Sequence, residues 1–436
     1  MTKETLKQEI IKEIDRNRQE IIRIGRQIYT NPELGFKEEK TSALVRKTFQ
    51  DLNIPYQDHL ALTGVKAVAK GRNSNARALV MGELDAVVCP LHKNADLTTG
   101  AAHSCGHHGQ IASMLGAAMG LAPFMRYLDG DAVFIAVPAE EYVELEYRQR
   151  LKQDGKIEFF GGKQEFIRLG LFDGIDAGMM VHSHAGLTDR KFLISCDSSG
   201  FVGKVIRFEG REAHAGAAPY LGVNALNAAA LALMAINSNR ETFKDSDRIR
   251  VHPIITKGGD LVNIVPADVR METYVRGRTI EAVTDASEKV DRAIMGSAYA
   301  IGAKARIEQI PGYLPLIQNE KINALFAKNG QALLDGDACL YGYELMGATD
   351  AGDVSSVIPF AHLSGGGFSG QAHSRDFDVC DEEMAYVLPA KAMAATMVDL
   401  LCDGAKEALA VRAAFRPKFT RDEYVAFWRG FNRTQE

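Results

Sequence analysis

"AVFIAVPAEE", residues 132–141, runs six apolar residues into a proline, an alanine and two glutamates. An unbroken apolar run of this length reads as a strand covered on both faces, the kind that fills parallel sheets. Adjacent glutamates usually mark a solvated face. Glu140 and Glu141 follow directly on core residues, so that reading fits them poorly. In an open α/β sheet, functional groups gather where strands end.

The flanking segments repeat the pattern. "VKAVA" (65–69), "ALVMGEL" (78–84) and "AGMMVHSH" (177–184) read as strands. "EEKTSALVRKTFQDL" (38–52), "GQIASMLGAAMGLAPFM" (109–125) and "KQEFIRLGLF" (163–172) read as helices, as does the opening segment, with isoleucines at helical spacing up to Ile28. Strands alternating with helices imply an α/β domain with a mostly parallel central sheet. From about residue 199 the rhythm changes. Strands at 200–210, 249–256, 268–277 and 304–310 and helices at 222–237 and 279–302 follow the order β-α-β-β-α-β, a ferredoxin-like arrangement. "PGYLPL" (311–316) marks a boundary, followed by a helix (319–335), a Gly-rich strand region (362–370) and a last helix (382–402).

At 436 residues the chain fits two domains. Its 46% apolar and 25% charged residues and its net charge of −5 are ordinary. No basic stripe points to nucleic acid. No run of about 18 apolar residues points to a membrane span, and the N-terminus has no signal-peptide pattern. Six scattered cysteines do not form a disulfide framework, so a cytoplasmic setting is expected.

Polar clusters recur at the strand ends. They are Glu83 and Asp85, Glu140 and Glu141, His182 and His184. "HSCGHHGQ" (103–110) leads into a helix, and "GQAHSRDF" places His373 after a Gly-rich run. Each alone is weak; a lone histidine after a strand is usually no ligand. Together, thiolate, imidazole and carboxylate suit borderline cations such as Zn²⁺ or Mn²⁺. Adjacent carboxylates allow one to bind metal and the other to act as general base toward a metal-activated water.

The chain resembles the dinuclear-metal amidohydrolases and peptidases that include aminoacylases, carboxypeptidase G, p-aminobenzoyl-glutamate hydrolase and the plant indole-acetyl-amino-acid hydrolases. Nine stretches carry the resemblance in order: "NPELGFKEEKT" (31–41), "GELDAV" (82–87), "HSCGHHG" (103–109), "PAEE" (138–141), "AHAGAAP" (213–219), "NIVPADV" (263–269), "PGYLPL" (311–316), "GATDAGDVS" (347–355) and "AHSRDF" (372–377). The "GELDA" and "TDAGDVS" forms look closest to the p-aminobenzoyl-glutamate hydrolase branch. The resemblance implies a zinc-peptidase-like catalytic domain, residues 1–198 and 311–436. It also implies an inserted lid and dimerisation domain, 199–310, and a homodimer. Cys105, His107, Glu141, His182 and His373 would hold two divalent metal ions, with Cys105 bridging. Glu140 would be the general base, and Asp85 would orient a ligand histidine. His214, from the same subunit or across the dimer, would stabilise the oxyanion. Asn263 and Arg276 would hold the substrate carboxylate. The expected reaction is hydrolysis of an N-acyl amino acid or dipeptide amide bond beside a free carboxylate.

Three features depart from the family pattern. His108 stands where relatives carry Asp or Asn, which makes it an extra ligand or a group supporting one, and Gln110 stands where many have His. His184 competes with His182. Residues 142–160 form an insertion beside the general base, expected to shape substrate access. The rival reading is a non-catalytic descendant that binds metal or a small ligand; the Glu140–Glu141 pair argues against it. A nucleotide-dependent oxidoreductase has no support, because "SGGGFSG" (364–370) lacks the dinucleotide-binding spacing.

Overall fold

The computed structural model describes residues 1–342, 347–431 and 434–436. They divide into two compact units. The first runs from Met1 to Asp197 and resumes from Ile317 to Arg421, apart from a short stretch ending at Gly352. The second holds Ser198–Leu316, that short stretch and Asp422–Glu436.

An eight-stranded sheet centres the first unit. Its order is Tyr56–Leu60, Gly64–Ala69, Asp131–Val137, Arg77–Glu83, Ala177–Ser183, Phe360–Gly365, Phe192–Ile194 and Cys339–Tyr341. The four strands from Asp131–Val137 to Phe360–Gly365 are parallel. Antiparallel pairings flank them on both sides. Every residue of Asp131–Val137 is buried, as its unbroken apolar run requires. Parallel register brings Glu83 beside Val137, and Ser364 beside His182. The chemistry-bearing strand ends therefore lie in one row.

Helix His107–Leu121 is buried along its whole length. Its small residues allow this: a Cβ on Gly116 would sit 2.9 Å from Ala390 Cβ and from Ile21. In the long apolar helical stretch Glu383–Leu401, every residue after Glu383 is also buried. The opening segment forms two helices rather than one, Lys3–Arg16 and Arg18–Tyr29, with Asn17 between them.

The second unit carries an antiparallel sheet in the order Arg250–Val251, Asp268–Gly277, Gly200–Glu209, Lys304–Tyr313 and Thr434–Gln435. Helices Ala225–Ser238 and Ile280–Ile301 complete the β-α-β-β-α-β order. The strand expected at 249–256 is split into Arg250–Val251 and Ile254–Lys257, and Pro253, which has no N–H for the ladder, lies in the break. The domain division also differs from the expected one. Lys304–Tyr313 runs past residue 310, and Thr434–Gln435 pairs with its edge. The C-terminal tail, expected in the catalytic domain, therefore groups with the second unit.

Candidate metal centre

Cys105 and His107 flank Gly106, which has φ +88° and leaves no room for a side chain. A Cβ there would lie 2.3 Å from Ser183 Oγ. That hydroxyl donates to the Cys105 carbonyl at 2.6 Å, tying the end of Ala177–Ser183 to the cysteine loop. His182 Nδ1 contacts the Ser183 carbonyl at 2.7 Å, which leaves Nε2 facing Cys105 Sγ at 3.7 Å.

Asp85 organises the other side. Its carbonyl oxygen lies 2.8 Å from His107 Nδ1, and its Oδ2 accepts the Glu141 N–H at 2.8 Å. His107 Nε2 thus faces the site, while Glu141 is fixed through its backbone. His373 arrives from far along the chain. Its N–H donates to the Ser104 carbonyl at 2.9 Å, and its φ of +60° is strained for a residue with a side chain. His373 Nε2 reaches to 3.0 Å from Glu141 Oε1.

Donor atoms of Cys105, His107 and His182 lie within 4.8 Å of one another, as do those of Cys105, Glu141 and His373. Cys105 belongs to both groups. Glu140 Oε2 stands 3.9 Å from His107 Nε2. His107 Nε2 and Glu141 Oε1 are buried without a hydrogen-bond partner, although other donor atoms approach to about 3 Å. Orphaned donors at this spacing fit shared cations better than hydrogen bonds. The charge supports the same fit: Glu83, Asp85, Glu140 and Glu141 crowd here with the buried Lys163. Burial opposes charge on His107, but Glu83 and Cys105 raise its pKa well above the usual value. Burial and then Glu141 push the Cys105 thiol well up. Glu141 contact raises His373.

The structure also revises two expectations. His108 does not join the cluster or support it. Its buried ring stacks on Tyr29 at 4.6 Å between centroids and meets Phe368 and Tyr386, and burial lowers its pKa well below the usual value. The insertion is not simply an access loop. Its helix Leu145–Gln153 buries Arg148, which donates to the Phe160 carbonyl at 2.7 Å and to the Glu141 carbonyl. Sequence reasoning missed Arg148, Glu38 and Lys163. His184 belongs to none of the three donor groups among the described residues.

The second unit holds His214, Asn263 and Arg276. Exposed His214 accepts the Ala217 N–H at Nδ1 over 3.0 Å, which places its ring proton on Nε2. Ala215 N–H donates to the Asn263 carbonyl at 2.9 Å, joining the two loops. Burial along Asp268–Gly277 alternates as expected. Arg276 lies 5.2 Å from the Phe201 ring centre and 5.5 Å from that of Tyr274, and burial lowers its pKa.

Residues 197–300 match the family model of the peptidase dimerisation domain. A mouse Xaa-Arg dipeptidase is 27% identical over 381 residues, covering 82% of this chain and 79% of its own. An N-acetylcysteine deacetylase of Bacillus subtilis is 28% identical, covering 69% and 76%. A solved dinuclear metal binding peptidase of the M20 family from Bacillus subtilis shares the fold, with TM-score 0.70, 22% identity and coverage of 88% and 98%. With the dimerisation domain, the nine ordered motifs and these likenesses over most of the chain, the protein is similar to the dinuclear-metal amidohydrolases and peptidases.

Proposed function

We propose that the chain hydrolyses an N-acyl amino acid or dipeptide at the amide bond beside a free carboxylate, using two divalent cations and Glu140 as general base. The observation that carries this reading is the pair of donor groups sharing Cys105 next to Glu140. Cys105, His107 and His182 would hold one cation, and Cys105, Glu141 and His373 the other. When bound, the cations would acidify the attacking water and polarise the scissile carbonyl. The donor set suits Zn²⁺ or Mn²⁺.

Glu140 takes the proton from the attacking water and returns it to the leaving nitrogen. Asp85 keeps His107 and Glu141 in place. His214 offers its Nε2–H to the developing oxyanion. Asn263 and Arg276 bind the substrate carboxylate, for which the guanidinium fork is suited. Two copies pair through the second unit, in agreement with its match to the dimerisation domain. A cytoplasmic setting fits the six unpaired cysteines.

The test is a panel of N-acyl amino acids and dipeptides offered to metal-free protein reconstituted with Zn²⁺ or Mn²⁺. Glu140→Gln should keep its metal and fold and lose turnover by about 10²–10⁴-fold. Near-normal turnover would remove Glu140 from the base role. Absence of any metal-dependent hydrolysis, with metal bound, would favour the non-catalytic reading.

A further inference from the structure

Glu83 ends a core strand, is fully buried and has no role in the scheme above. Its Oε1 accepts from Lys163 Nζ, itself fully buried, at 2.5 Å. Its Oε2 accepts from Gln110 Nε2 at 2.7 Å, and its N–H donates to Gln110 Oε1 at 3.3 Å. Gln110 is the residue that departs from the family's usual His. Lys163 lies on the helix Gly162–Arg168, which follows the insertion.

The same Oε2 is 3.1 Å from His107 Nε2 and 4.0 Å from His182 Nε2. His107 Nε2 makes no hydrogen bond there. Two N or O donors on one cation, with bonds of about 2.0–2.2 Å, stand at most about 4.0–4.4 Å apart. Both separations lie within that limit, and so does the 3.7 Å from Cys105 Sγ to His182 Nε2. A carboxylate oxygen has lone pairs enough to accept from Gln110 and bind a cation together. A pure ion pair with Lys163 would need only one oxygen of Glu83. It would not explain why the other is set among the ring nitrogens.

We propose that Glu83 is a fourth protein ligand of the cation held by Cys105, His107 and His182, with Lys163 and Gln110 fixing its carboxylate. The proposal rests on the two-cation reading above. It makes the two positions unlike. One has four protein ligands, with Glu83 and His107 fully buried. The other has three, and its His373 side chain is 49% exposed. A closed position retains its ion, whereas an open one leaves room for water and substrate.

Metal-free protein titrated with Zn²⁺ and with Mn²⁺ against a competing chelator tests this. The unaltered protein should take two cations of unequal affinity. Glu83→Gln, of equal size but uncharged, should weaken the tighter one by more than the roughly 10–100-fold that loss of an outer supporting group costs. The weaker cation should stay within a few-fold. Two cations with unchanged affinities in Glu83→Gln overturn the ligand role and leave the two-cation reading intact. No cation bound by the unaltered protein overturns both. Glu83→Gln also removes a buried ion pair and can prevent folding, so the Zn²⁺-loaded crystal structure of the unaltered protein is the second measurement. Glu83 Oε2 at about 2.0–2.2 Å from the ion supports the assignment, and a separation above about 3 Å overturns it.

Discussion

Glu38 holds the turn that carries Glu140 and Glu141. Its Oε1 accepts the Ala139 N–H at 2.9 Å, and its Oε2 accepts the Thr63 hydroxyl at 2.5 Å. Burial, and then the charge of Asp85, push its carboxyl from 4.5 up to about 8. The folded chain therefore keeps a proton that the unfolded chain releases near its ordinary value. The resulting stability is fully present below pH 4.5 and is lost as the pH rises through about 8. Calorimetry of metal-free Glu38→Gln should show a flatter fall of Tm between about pH 5 and about pH 8. An unaltered slope would assign the fall to other groups. His107 and His108 show why neighbours in sequence differ in role. Successive helical residues point about 100° apart, so one ring faces Cys105 and the other Tyr29. Type and spacing made His107 legible; the environment of His108 was not, because Tyr29, Phe368 and Tyr386 come from distant parts of the chain.

The inserted segment works as a brace. Lys37 pairs with Glu144 at 2.7 Å, and Val143 packs on the small apolar cluster of Leu34, Ala86 and Ala101. Arg148 then joins both ends of the segment through the carbonyls of Glu141 and Phe160. Arg148→Met should cost about 1–3 kcal/mol by leaving the buried Phe160 carbonyl without its donor, while the Glu141 carbonyl keeps only the Val143 N–H. It should also weaken the cation that uses Glu141 more than the one that uses His182. Arg148→Lys, with one donor group in place of a fork, should recover part of both. Urea unfolding and metal titration read the two effects, and equal weakening of both cations would count against a local brace. On Asp268–Gly277, the period-two alternation was readable because only one face of the strand is covered. If Arg276 binds the substrate carboxylate, amidating that group should cost about 2–5 kcal/mol in transition-state binding. The preference should vanish in Arg276→Ala, and Arg276→Lys should behave nearly as badly. Equal kcat/KM for acid and amide in the unaltered enzyme would exclude this role.

At the scale of the whole molecule, the two donor groups that share Cys105 differ in their other members. Cys105→Ser should lower the content of both cations, whereas His373→Ala should lower one. Elemental analysis after dialysis reads this directly, and full stoichiometry in His373→Ala would break the second group. Sequence alone determined the parts whose physical cause is local. Apolar runs and their periods specify strands and helices. Residue chemistry at strand ends marked Glu83, Asp85, Cys105, His107, His108, Glu140, Glu141, His182, His184 and His373, and the family resemblance chose among them. The break at Pro253 was equally local and could have been read. Tertiary structure alone decided what depends on contacts between distant segments. It set Glu83 against Lys163 and Gln110, aimed Arg148 at the Glu141 carbonyl and added Thr434–Gln435 to the edge of Lys304–Tyr313. A buried charge is stable only with its partner, and no local pattern states which of many lysines, arginines or glutamines that partner will be.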